Sequence, residues 1–316
     1  MVQSHLTVTI NEGLRALDSL LVLSIQDRSR VSSRQDELEK IMVEEFDAIA
    51  TTMPGAFARN TLIQPLEDNI IDLFVKLPPE LGQRSTPFGL MSRLEDLLMQ
   101  HYPEAAITED GKAVLVRYPD VSFRVVPCFY QEKKGYVIAD IKKSKWIKTN
   151  PHNFYYALDD ANFRHKGLLL PVIRIIKHWN RRNGNWFNDY YLELLATEAL
   201  SDTKAMNYIH AIKHIFRKAI RLVVFSINDP VDSGSQMEGL KDVFKMVEAM
   251  LSFQECHGLI VSAEHLEEQG DLISAYREWR KIFAEDFPSY VDIMADKLEA
   301  NGITGAEALK ILRDAT

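Results

Sequence analysis

Cysteine is scarce: Cys128 and Cys256 are the two in 316 residues. They lie far apart without metal-ligand spacing, so they read as small buried hydrophobes of a reducing cytoplasm rather than as metal ligands. Long apolar runs are missing too. No segment approaches the ~18 residues of a membrane span. The start of the chain, with His5, Asn11 and Glu12, lacks a signal-peptide pattern. A cytoplasmic protein with no membrane contact is expected. Positive charge is not in excess either. The formal net charge of −8 argues against broad coating of nucleic acid, and leaves room only for a local basic groove. There is no internal repeat and no low-complexity tract.

What is there is ordinary globular sequence, 46% hydrophobic and 26% charged. The length suits roughly two domains of about 100–200 residues each. Leu14, Leu17, Leu20, Leu21 and Ile25 form one helical stripe, and Leu38, Ile41, Met42, Phe46 and Ile49 another. Strands are expected at 69–76, 113–118, 122–127 and 136–140, with a helix at 91–101. After Trp146 the pattern turns helical, at 168–182, 190–200, 208–225, 237–257, 259–287 and 306–313. The clearest loop is 229–235. The division expected is residues 1–150, a small mixed sheet with helices, then 151–316, a helical domain.

Residues 55–75, Gly-Ala-Phe-Ala-Arg-Asn-Thr-Leu-Ile-Gln-Pro-Leu-Glu-Asp-Asn-Ile-Ile-Asp-Leu-Phe-Val, carry the most information. They resemble the active-site opening of polymerase-β-type nucleotidyltransferases: a Gly-Ser turn, a short helix with Arg and Thr, a loop, and a strand bearing Asp-x-Asp. That chemistry uses two divalent metals roughly 3.5–4 Å apart, held by three carboxylates. Two come from one strand at i and i+2, which share a face. The turn offers donors to the triphosphate. Here the Ser position is Ala56, the first Asp position is Ile70, and Asp72 remains. The third acid, expected before Val125-Val126-Pro127, is Arg124. Asp68 would sit ~13 Å from Asp72 along an extended strand, too far for one metal pair. Asp120 falls in a turn after Pro119.

Further segments make the resemblance more specific. Trp146-Ile-Lys-Thr-Asn-Pro151, Pro171-Val-Ile-Arg-Ile-Ile-Lys-His-Trp-Asn180, Tyr191-Leu-Glu193 and Ala275-Tyr-Arg-Glu-Trp-Arg280 resemble the bacterial cGAS/DncV-like nucleotidyltransferases, the cyclic oligonucleotide synthases of antiphage signalling. The resemblance spans about residues 10–290. It implies an α+β fold, with a polymerase-β-type core followed by an oligoadenylate-synthase-like helical domain. It also implies ATP or GTP as substrates, magnesium, and a cyclic product. Gly55, Arg59 and Thr61 match the turn and its helix. Lys177 matches a lysine directed at the triphosphate, and Asp189 stands where the family commonly has Ser.

Ala56, Ile70, Arg124 and Asp189 together point to a catalytically degenerate member, with no cofactor expected and magnesium only if the chain is active. Its partners would be a nucleotide, a cyclic oligonucleotide or a protein from a defence operon, with nucleic acid disfavoured. The alternatives are an active magnesium-dependent synthase and a structural subunit of a larger assembly. An Asp72–Arg124 ion pair is expected in place of the metals, with Ile70 filling the space of the lost ligand. Trp146, Trp179, Trp186 and Trp279 read as packing, and Glu193 as structural. The lysines at 133, 134, 142, 143, 145 and 148 read as a solvated face, and His210/His214 as an i,i+4 pair without a third metal ligand.

Overall fold

The computed structural model describes residues 8–132, 134–231 and 235–314. In chain order the elements are α1 (Ile10–Leu21), α2 (Ile25–Glu45), β1 (Ala50–Thr52), β2 (Ile70–Lys76), α3 (Pro79–Arg84), α4 (Pro87–His101), β3 (Ala106–Ile107), β4 (Val114–Arg117), β5 (Ser122–Gln131), β6 (Gly135–Asp140) and β7 (Lys145–Thr149). There follow α5 (Pro151–Arg164), α6 (Leu169–Arg182), α7 (Asp189–Ala199), α8 (Tyr208–Leu222), β8 (Ile227–Asn228), β9 (Gln236–Met237), α9 (Val243–Glu268), α10 (Leu272–Phe283), α11 (Tyr290–Ala300) and α12 (Gly305–Asp314). His5, Lys133 and residues 232–234 of the expected loop lie outside the described residues. Two compact units result. Of the described residues, one holds those within 22–160 and 228–235, and the other holds 8–21, 161–227 and 236–314.

The first unit is built on a mixed sheet in the order β1-β2-β5-β4-β3, with β6 pairing β5 and β7 pairing β6. β2 and β5 run parallel, with Ile70 opposite Ser122 and Asp72 opposite Arg124. Alternation along β2 sends Ile71, Leu73 and Val75 into a large apolar cluster with Leu38 and Met42 of α2 and Leu94 and Leu98 of α4. The opposite face carries Ile70, Asp72 and Phe74. Only its far end is sealed, by Phe74, Val126, Cys128, Tyr136 and Ile138. One side of the sheet is therefore core, and the other is free to carry polar groups.

Several boundaries differ from the sequence reading. β5 runs on to Gln131 because Pro127 falls between its antiparallel partners, β4 up to Val125 and β6 from Cys128. The missing N–H is thus not needed on that edge. Residues 145–149 form a strand rather than opening the helical region, since the turn after Asp140, with Ser144 at φ 50°, folds them back on β6. α4 begins four residues early at Pro87, where Thr86 Oγ1 accepts from Gly89 N at 3.0 Å and proline suits the first turn.

In the helical unit, α9 passes through Gly258 without a break. The chain turns instead at Gly270 (φ 82°), and Asp271 caps α10 by accepting from Ser274 N. A single helix over 259–287 is therefore incorrect. α8 stops at Leu222, and α9 starts at Val243 rather than 237. The unit's aromatic core stacks Trp179 on Phe253 at 4.4 Å, with Phe216 beside both. Trp179 Nε1 donates to Cys256 Sγ at 3.3 Å. Both cysteines are buried, and burial pushes their thiols up, to about 12 for Cys128 and about 11 for Cys256. No helix among the described residues is long and apolar enough to cross a membrane.

Candidate active site on the sheet

The chain turns over Pro54–Asn60. Arg59 N donates to Gly55 O at 3.2 Å and Thr61 N to Ala56 O at 3.1 Å, with Asn60 left-handed at φ 59°. The short helix expected here is thus a hydrogen-bonded turn. Gly55 is backed directly onto β2: a Cβ there would lie 3.2 Å from Asp72 Oδ2, so the glycine permits the close approach. Arg59 is buried, donates to Pro54 O at 3.3 Å, and lies 5.0 Å above the Phe154 ring. Thr61 is fully buried and its hydroxyl donates to Ala56 O at 3.4 Å. Asn69, which the sequence reading missed, donates to Ile63 O (2.8 Å), Pro65 O (2.8 Å) and Leu66 O (3.2 Å), and so pins the loop leading into β2.

On the strand face, Arg124 Nη1 lies 3.6 Å from Asp72 Oδ1. Its stronger bond goes elsewhere, from Nη2 to Asp110 Oδ2 at 2.6 Å. The expected Asp72–Arg124 pair is present as one arm of a carboxylate–guanidinium–carboxylate set. Asp110 was not foreseen. Its Asp110-Gly111 step signals a turn, but only the pairing of Leu115 with Arg124 brings that turn to the site. Asp110 is itself fixed by accepting from Thr108 Oγ1 at 2.6 Å and Lys112 N at 3.3 Å.

The set is half open, with side-chain exposures of 38% for Asp72, 32% for Arg124 and 43% for Asp110. Protein crowds Asp72 on its remaining sides, and this desolvation pushes its carboxyl up, against the pull of Arg124 and Arg59. Desolvation also raises Asp110, but the Thr108 hydrogen bond and Arg124 outweigh it, and that carboxyl is held low. Ile70 is 54% exposed, so it fills no vacated ligand space, contrary to expectation. Asp68 lies exposed in a 3-10 turn, and Asp120 pairs with Arg34 at 3.4 Å. Among the described residues no three His, Cys, Asp or Glu side chains come together as a metal site.

The helical unit holds the other candidates. Lys177 of α6 is fully buried, with Nζ donating to Glu193 Oε1 at 2.7 Å and lying 3.7 Å from Asp189 Oδ2. Asp189 also accepts from Arg181 Nη2 at 3.4 Å. Glu193 is structural, as read, and serves as the buried counter-charge of Lys177. The His210 and His214 rings lie tilted at 56° to each other, with centroids 6.1 Å apart. Trp179 and Trp279 are buried, while Trp146 packs edge-on against Phe129. Lys134, Lys142, Lys143, Lys145 and Lys148 are exposed.

Residues 9–162 match the Second Messenger Oligonucleotide or Dinucleotide Synthetase domain. This chain belongs to the cGAS/DncV-like nucleotidyltransferase family. It is 24% identical over 277 residues to a probable cyclic nucleotide synthase of Bacillus cereus, covering 75% of this chain and 82% of that protein. It is 30% identical over 181 residues to a cyclic AMP-AMP-AMP synthase of Acinetobacter, covering 56% of this chain and 48% of that protein. Among solved structures, Escherichia coli CdnC with ATP superposes with a TM-score of 0.66 at 17% identity, over 89% of this chain and 99% of the other. CdnC has also been solved in complex with a HORMA protein. The fold is accordingly the polymerase-β-like α+β fold of this family.

Proposed function

We propose that this family member is catalytically degenerate, and acts in bacterial antiphage defence by binding a nucleotide or a partner protein without transferring nucleotidyl groups. The observation that carries the reading is the guanidinium of Arg124 lying between Asp72 and Asp110 on the strand face. A two-metal site concentrates carboxylates around cations. Here the cation at that register is part of the chain, and the partner of Asp72 at i−2 is an exposed isoleucine. The donor set does not suit a pair of magnesium ions.

The half-open guanidinium keeps donors that a phosphate can use, so nucleotide binding is the first activity to seek. Regulation by a protein partner is the second, in keeping with the HORMA complex of CdnC.

Incubation with radiolabelled ribonucleotides and magnesium or manganese, then phosphatase and thin-layer chromatography, should give no phosphatase-resistant product. Ile70→Asp alone should not restore turnover, because Arg124 and Ala56 remain. A product lost in Asp72→Ala would establish the active-synthase reading instead. Nucleotide binding that persists in EDTA supports the proposal. Absence of both turnover and binding would leave the structural-subunit reading.

A further inference from the structure

The two carboxylates around Arg124 differ in how firmly they are held. Asp72 Oδ1 lies 3.6 Å from Nη1, too far for a hydrogen bond, so a ligand can take that donor. Asp110 is fixed from both sides. Its Oδ2 accepts from Arg124 Nη2 at 2.6 Å, and its Oδ1 accepts from Thr108 Oγ1 at 2.6 Å and Lys112 N at 3.3 Å. The turn that carries it closes on itself, with Gly111 N donating to Thr108 O at 2.8 Å and Thr108 N to Ala113 O at 2.9 Å. The turn also backs onto the connection between β6 and β7. Ile141 N donates to Gly111 O at 3.1 Å, and a Cβ on Gly111 would lie 2.7 Å from Ile141 Cγ1. Asp110 is therefore a fixed negative charge beside the guanidinium.

Fixed charges set which anion the site suits. Besides Arg124, Asp72 feels Arg59 and Asp110 feels Lys112. Arg59, Lys112 and Arg124 thus face Asp72 and Asp110, a surplus of one positive charge. Two divalent metals would add four more, which suits a triphosphate. Without metals the surplus balances a single phosphate charge. A phosphodiester carries one. A terminal phosphate carries about 1.5–2 negative charges at neutral pH. Its excess falls near Asp110, where even in water each pair of like charges about 4 Å apart disfavours binding roughly fivefold.

We propose, on the reading that Arg124 holds a ligand phosphate, that Asp110 selects phosphodiesters over terminal phosphates. The ligand is then a small molecule with one negative charge per phosphate, bound through Arg124 on its Asp72 side. Asp110 is the specificity-determining residue, and it acts by charge rather than by contact with the base or sugar.

5′-AMP and 3′,5′-cyclic AMP share base and sugar and differ in this charge. Titration calorimetry of each against the full chain in EDTA should favour cyclic AMP. Asp110→Asn keeps an acceptor for Thr108 and Lys112 but removes the charge. The ratio of AMP to cyclic AMP affinity should then rise about fivefold. Lys112→Ala removes a cation and should move that ratio the other way, so the test survives even if Asp110→Asn fails to fold. A merely structural role for the turn would not shift the ratio in opposite directions. Arg124→Ala should weaken both ligands. Where binding depends on Arg124, a parent chain that prefers AMP, or a ratio unmoved by both variants, would overturn the charge selection and leave the phosphate-binding reading standing. Binding indifferent to Arg124→Ala, or no binding of either nucleotide, would overturn both. An oligonucleotide that displaces cyclic AMP at a lower phosphate concentration would show a nucleic-acid groove and overturn the small-ligand assignment.

Discussion

Lys177 and Glu193 meet at 2.7 Å with neither side chain reaching solvent, whereas Arg124, Asp72 and Asp110 meet with about a third or more of each side chain exposed. Both sets are cations cancelled by carboxylates of the same chain. Water makes them different objects. In the interior, desolvation has already been incurred, so each charge holds the other in place and neither is available to a ligand. On the sheet face, solvent screens the pair, each contact contributes little to stability, and the guanidinium can exchange a carboxylate for a phosphate at small cost. The lysine that resemblance directs at a triphosphate is thus buried against Glu193, and Arg124, at the position where the resemblance expects a metal-binding acid, is the more accessible cation.

The comparison is sharpest in stability. Glu193→Ala leaves Lys177 without its 2.7 Å partner in the interior. It should cost roughly 3–5 kcal/mol, read as a lowered urea midpoint with an unchanged slope. Asp189, at 3.7 Å and partly exposed, is too distant and too wet to substitute. A loss below about 1 kcal/mol would mean that the interior pair behaves like a surface one, and the contrast would fail.

Arg124→Ala should cost only ~0–1 kcal/mol by the same measurement, because the set is half solvated. Its larger effect should be on ligand. If the guanidinium is the phosphate-facing cation, nucleotide binding measured in EDTA should weaken clearly in this variant. Binding that is untouched by Arg124→Ala but abolished by EDTA would place a metal, not the arginine, at the site.

These contrasts also show what a sequence can and cannot display. The frame was legible because it is local. Gly55, Thr61 and the 70–76 strand lie within one short stretch, and alternation alone put Ile70 and Asp72 on one face. Asp110 was not legible, since its place beside Arg124 depends on a hairpin and a strand pairing, neither of which is encoded at residue 110 itself. The burial of Lys177 was hidden for a related reason. Lys177 was read from resemblance, which does not say that its counter-charge sixteen residues on, Glu193, lies inside with it. The longer helices were clear from period, but α3, α5 and α11 were not foreseen, and ends depended on caps and on which glycine breaks the chain. Gly258 and Gly270 look alike in sequence, and only the second adopts a left-handed turn.

The smallest expected effect separates the two carboxylates of the open set by the sign of their response to pH. Burial raises the Asp72 carboxyl, so its neutral form favours the fold. That contribution is fully present below the unfolded value of about 3.9, and is lost as pH rises through the higher folded value. Asp110 is held low. Its contribution is present above the unfolded value and is lost as pH falls through the lower folded one. With both groups partly exposed, each effect should amount to a few tenths of a kcal/mol, and at most about 1. Asp72→Asn should therefore gain on the parent chain as pH climbs from 3 to 7, and Asp110→Asn should fall behind it. Urea midpoints collected over that range read the two slopes directly. Parallel slopes for the two variants would show that Arg124 treats both carboxylates alike, and the asymmetry of 3.6 Å against 2.6 Å would then carry no energetic meaning.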